Sequence, residues 1–179
     1  MACVISNLLF DSQLPYCLLP HIILFFNREV GSETSAWITD VVIRHSNMSG
    51  TDRAVRIKSC RGRGGGAKNI TYLDMTGEVD ESISLTLKYV NEPPTNWTAT
   101  PEIHDVKVSN LELTADKSYM LCDGLPESPI TGISMDNVTV DGDGAFSTEC
   151  WFCHGTATTG DVTPEPCFTQ PRSSRQTQD

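Results

Sequence analysis

Four segments of the chain share one pattern, and that repeat restricts the fold more than any other feature. They are VVIRHSNM from Val41, ITYLDMTG from Ile70, VKVSNLEL from Val106 and ISMDNVTV from Ile133. Each opens with two apolar residues flanking a third, passes through polar residues and returns to apolar alternation. The starts lie 29, 36 and 27 residues apart, and the fifth residue of each segment is His45, Asp74, Asn110 or Asn137. Helical periodicity is sustained nowhere, and Gly, Pro, Asn, Asp, Ser and Thr separate the runs. A short alternating strand cannot bury its apolar face alone, so repeats of this length must stack on one another. Stacked coils place equivalent residues about 4.8 Å apart, where a recurring polar residue can form a hydrogen-bonded ladder. A β-sandwich would also alternate, but its turns come every 8–12 residues or so without a long repeat. The expectation is an all-β solenoid.

Composition sets the surroundings. A chain of 179 residues with 39% hydrophobic and 20% charged residues suits one globular domain. Its net charge of −10 argues against broad affinity for nucleic acid or an anionic membrane. Sequons at Asn47, Asn69, Asn96 and Asn137, with four of the cysteines in the last third, favour an oxidising, secretory setting. The N-terminus, MACVISNLLFDSQLPYCLLPHIILFF, does not read as a clean signal peptide. It has no basic start and is broken by Pro15 and Pro20. Its uninterrupted apolar run, Ile22 to Phe26, is too short to span a bilayer.

Against this acidic background stands one basic window, from Arg53 through AVRIKSCRGRGGGAKN. It holds Arg53, Arg56, Lys58, Arg61, Arg63 and Lys68, six of the thirteen Lys and Arg, so the rest of the chain carries −16. A phosphate loop fails on spacing, because Lys68 is preceded by Ala67 and followed by Asn69 rather than Ser or Thr. The GRGGGA run should open a helix if it cradled a dinucleotide, and β-branched alternation follows instead. An RGG-type nucleic-acid tract would be repetitive, whereas this one is single and lies between two strands. A pocket for an anion survives. On a strand, Arg56 and Lys58 point to one face about 7 Å apart while Val55 and Ile57 point into the core. A guanidinium can grip a carboxylate bidentately and the ammonium adds a compact charge.

The stretch GSETSAWITDVVIRHSNMSGTDRAVRIKSCRGRGGGAKNITYLDMT, Gly31 to Thr76, resembles glycoside hydrolase family 28, the polygalacturonases and related pectinases. That resemblance implies a right-handed parallel β-helix that hydrolyses galacturonosyl linkages with inversion. Arg56-Ile57-Lys58 matches the family's substrate-binding motif, and Gly31 to Glu33 the segment after its catalytic histidine. In KYVNEPPTN, Tyr89 falls where the family carries a tyrosine at the cleft. SPITGISMDNVTV and CWFCHGTATTGDVTPEPC are similar to the last coil and cysteine-closed tail of plant-type members. The resemblance thus runs from about Gly31 to Cys167. It implies Arg56, Lys58 and Tyr89 as contacts to a pectic polysaccharide, no cofactor or metal, and a monomer in the cell wall or extracellular space. His104, His154 and Trp97 match no family role, and Cys153 with His154 is too little for a metal site.

An inverting glycosidase needs one carboxylic acid and one carboxylate. In the family these lie in N-T-D and D-D motifs with a G-H-G histidine, and neither carboxylate motif occurs in this sequence. The expectation is a partial β-helix without its N-terminal coils and with no catalytic residue of its own. Residues 1–30 form an apolar segment unlike the family, 31–168 the C-terminal part of the pectinase fold, and 169–179 a polar tail. The family activity on pectic galacturonan and a non-catalytic acidic-polysaccharide-binding remnant are the two readings, with a nucleic-acid binder as the outsider. By resemblance the tail is closed by Cys153–Cys167. Cys122 and Cys150, which flank one repeat, then form the second bridge, leaving Cys3, Cys17 and Cys60 outside both.

Overall fold

A computed structural model of the chain describes residues 23–25, 37–62, 64–89, 99–142 and 147–169. Most of the N-terminal segment with Cys3 and Cys17, the loop carrying Asn96 and Trp97, and the tail from 170 lie outside the described residues. The elements are β1 (Ile23–Phe25), β2 (Trp37–Lys58), β3 (Gly66–Thr86), β4 (Glu102–Asp123), β5 (Ile130–Asp141), β6 (Ser147–Trp151), β7 (Cys153–Ala157) and β8 (Val162–Thr163). All pair in parallel, in the order β1-β2-β3-β4-β5-β7, with β6 on β4 and β8 on β5. No helix of the described residues is long and apolar enough to cross a membrane. Parallel crossovers between right-twisted strands wind right-handed in nearly all proteins, and the chain is a right-handed parallel β-helix. β1, inside the apolar N-terminal segment, pairs with Arg56, Ile57 and Lys58.

The repeat sets the register. Val41 lies opposite Ile70 and Ile70 opposite Val106, while Lys107 pairs with Ser134. The 22 residues of β2 would run about 70 Å if straight. They do not, because Asp40, His45 and Gly50 adopt left-handed φ of 59°, 56° and 60° and bend the strand into faces of a coil. The same corners recur one coil later at Asn69 and Asp74, then at Asp105 and Asn110, then at Gly132 and Asn137. Asn and Asp tolerate this conformation better than other residues with a Cβ. Gly132 fills the fourth place in its column because a Cβ there would stand 2.6 Å from the Asp105 carboxylate.

The corner residues join in the ladder that the repeat implies. His45 Nδ1 lies 3.3 Å from Asp74 Oδ2, Asn110 donates to Asp74 at 2.8 Å, and Asn137 donates to Asn110 at 3.0 Å. A parallel rung forms where Asn69 donates to Asp40 at 2.6 Å, which lowers the carboxyl pKa of Asp40. Inside, matched positions stack into buried columns: Ile43, Tyr72, Val108 and Met135, and beside them Val55, Ile83 and Met120. Two sequon asparagines, Asn69 and Asn137, are thus part of the rungs, while Asn47 is exposed on β2.

The disulfide pairing differs from the expectation. The same four cysteines are bridged, but as Cys122–Cys153 and Cys150–Cys167, with Cα separations of 6.2 and 5.6 Å. The cause is a corner between β6 and β7, where Phe152 takes a φ of 51°. β6 extends the face that ends β4, whereas β7 turns onto β5. Cys153 therefore faces inward, buried against Cys122. Cys150, level with Cys122 in the ladder, is only half-buried and meets the returning tail at Cys167 instead. Cys60 is buried just past Lys58, outside both bridges.

Candidate functional site

The last eight residues of β2, Thr51 to Lys58, form one face of the first complete coil. Val55 and Ile57 are fully buried in the core, as alternation requires. Arg56 and Lys58 emerge on the opposite side, above Ser84 and Thr86 of the next coil. These small hydroxyl side chains leave room over the sheet, and Tyr89 fills it. The chain leaving β3 is tied back to the residues after Lys58. Ser59 N–H donates to the Thr86 carbonyl at 2.8 Å, Tyr89 N–H to the Ser59 carbonyl at 3.1 Å, and Cys60 pairs with Lys88.

That return lays the Tyr89 ring across both cations. Lys58 Nζ is 3.6 Å from the ring centroid and Arg56 Cζ 5.5 Å, both within cation–π range. Lys58 is buried, whereas Tyr89 is 46% exposed, so the ring is the outer wall of the site. The hydrogen bond and charge of Lys58 hold the Tyr89 phenol below the ordinary tyrosine range, with smaller help from Arg56 and Arg53. The three residues picked from the sequence thus converge. Beneath them Tyr72 is fully buried and donates its hydroxyl to the Arg56 carbonyl at 3.3 Å, fixing that strand; burial pushes its pKa up.

The basic window divides into several roles. Arg53 grips Glu81 bidentately, Nε and Nη2 each 2.6 Å from a carboxylate oxygen, and also donates to Asp52. Arg61 pairs with Glu127 at 2.6 and 3.1 Å, which raises the Arg61 pKa and lowers that of Glu127. Together with Gly62 N–H on the Ala99 carbonyl, this clamps the glycine-rich loop to later coils. Lys68 is exposed on β3 beside the corner at Asp40, and Arg63 lies outside the described residues. Among the described residues of the window, Arg56 and Lys58 are the two that meet at the Tyr89 ring.

Sequence reasoning missed Asp52, Arg53 and Glu81 as parts of one network. The signal was present: Arg53 and Glu81 are one coil apart and directly opposed in register. His104 faces Asp105 at 2.9 Å and packs edge-on against Trp37, with ring centroids 5.8 Å apart. His154 is exposed, and no cluster of three or more potential metal ligands occurs among the described residues. Grooves of about 270 and 370 Å³ lie elsewhere, one lined by Glu102, His104 and Glu127, the other running along Asp74, Asn110 and Asn137. Neither includes the paired cations. With its open aromatic wall and two cations on one strand, the site can engage a carboxylate and a ring face at once.

A family model described as Glycosyl hydrolases family 28 matches residues 29–159. Endopolygalacturonase II of Aspergillus niger is 34% identical over 128 residues, 68% of this chain and 34% of the relative. A probable polygalacturonase of Vitis vinifera is 28% identical over 146 residues, 79% of this chain and 30% of the relative. An endo-polygalacturonase of Sclerotinia sclerotiorum is 31% identical over 128 residues, 68% of this chain and 32% of the relative. The chain therefore spans about a third of the length of these relatives. No solved structure matches it significantly.

Proposed function

Because the chain belongs to glycosyl hydrolase family 28, we propose that it is a uronate-binding part of a polygalacturonase-type glycosidase acting on pectic galacturonan in the cell wall. The observation that carries this reading is the convergence of Arg56 and Lys58 under the Tyr89 ring. A galacturonosyl residue presents a carboxylate and a sugar face. Arg56 and Lys58 take the carboxylate, and Tyr89 takes the apolar face of the ring. The unit that does this spans 31–168, closed by the disulfide-bonded tail.

The chemistry of hydrolysis needs a carboxylic acid at the leaving oxygen and a carboxylate on the water. Asp52, the carboxylate that reaches Arg56, is also engaged by Arg53, which binds Glu81 as well. These 179 residues therefore contribute binding and positioning, and on their own release no reducing sugar from polygalacturonate. Binding is tested by calorimetric titration with trigalacturonate. Arg56→Ala and Lys58→Ala should each weaken affinity by about 10–150-fold, the loss of one charge-assisted contact of about 1.5–3 kcal/mol. Unchanged affinity in either folded variant would sink the reading.

A further inference from the structure

A cation pair is useful to an anionic ligand only while no carboxylate of its own chain occupies it. One such carboxylate stands beside Arg56, that of Asp52. Resting on the uronate reading above, we propose that Arg53 is a positioning residue that keeps Arg56 available by drawing the Asp52 carboxylate away from it. Its guanidinium is saturated from two sides: Nε and Nη2 bind Glu81 at 2.6 Å each, and Nη1 binds Asp52 Oδ2. That same Asp52 oxygen is 3.4 Å from Arg56 Nη1, at the outer limit of a hydrogen bond.

The consequence shows on Arg56. Its side chain is only 11% exposed, yet its Nε is buried with no hydrogen-bond acceptor among the described residues. A buried guanidinium with an unmet donor is poised for an incoming carboxylate. The neighbouring Asp80 and Lys117 pair with each other. Without Arg53, Asp52 has Arg56 as its nearest cation and lies four residues away on the same strand. An intramolecular carboxylate at such effective concentration outcompetes ligand. Apparent affinity then falls in proportion to the fraction of molecules whose Arg56 is left open.

The experiment is trigalacturonate titration of the whole chain in four forms: wild type, Arg53→Gln, Asp52→Asn and the double variant. If Asp52 closes Arg56 in nine molecules of ten, Arg53→Gln weakens binding about tenfold. Adding Asp52→Asn to Arg53→Gln should bring affinity back to within about threefold of wild type. A merely structural role for Arg53 moves both variants alike, because Asp52→Asn restores no packing. Undiminished affinity in Arg53→Gln, or a double variant no better than the single one, overturns the proposal. Should Arg53→Gln not fold, Asp52→Asn alone decides: binding at least as tight as wild type supports it, and several-fold weaker binding overturns it. Wild type that ignores trigalacturonate removes the uronate reading and this inference together. Wild type that binds, with Arg56→Ala inactive in binding and Arg53→Gln normal, removes only this inference.

Discussion

Lys58 is only 5% exposed, yet its ammonium ends beneath a ring that is half open to solvent. The charge is thus held against an aromatic face rather than left in bulk water. It carries a spectroscopic consequence at Tyr89. The folded state favours the phenolate, because Lys58 is hydrogen-bonded to it and adds its charge. The folded chain should therefore release the Tyr89 proton at lower pH than the unfolded chain, below the ordinary tyrosine value of about 10. An ultraviolet titration with Tyr89→Phe subtracted should show that early phenol, and Lys58→Met should return it to the ordinary range. The pair Arg56 and Lys58 was legible in the sequence because strand alternation alone sets both on one face. The partners of Arg53 were not, because Glu81 comes from the next coil and only the register names it.

One coil is the unit of this fold, and its corners hold it. The polar residue at the fifth place of each repeat was visible in the sequence, and so was the ladder it makes. The column beside it, Asp40, Asn69, Asp105 and Gly132, was not. Its members share a left-handed backbone rather than a side chain. Asn110 is the joint of the ladder, donating to Asp74 and accepting from Asn137 at a φ of 53°. Asn110→Ala loses both rungs and puts a residue that tolerates the left-handed region less well than Asn at this corner, at a cost of about 2–4 kcal/mol. Asn110→Gly loses the rungs without that strain and should recover about 1 kcal/mol of it. Urea denaturation of the two variants separates the terms. Gly77 is stricter still, since a Cβ there would stand 2.0 Å from the Met48 carbonyl oxygen. The register shifts between Met48 and Thr51, just past that close approach.

At the scale of the whole molecule, two bridges close the C-terminal end of the stack, and their pairing was the part of the fold that sequence could not supply. All four cysteines sit near one another, and the choice among them turns on a single corner at Phe152 that no periodicity announces. Peptide mapping without reduction should yield Cys122 joined to Cys153 and Cys150 joined to Cys167. Removing either bridge should cost about 3–4 kcal/mol by loop entropy, slightly more for the longer Cys122–Cys153 loop. The acidic chain meanwhile sets Arg56 and Lys58 together at the Tyr89 ring, the pair proposed to recognise the carboxylate of a uronate. The most direct measurement compares trigalacturonate with its fully methyl-esterified form in the same titration, since the two differ chiefly in charge. The free acid should bind about 10-fold or more tightly than the ester. Equal binding of the two would mean that the cations do not recognise the carboxylate.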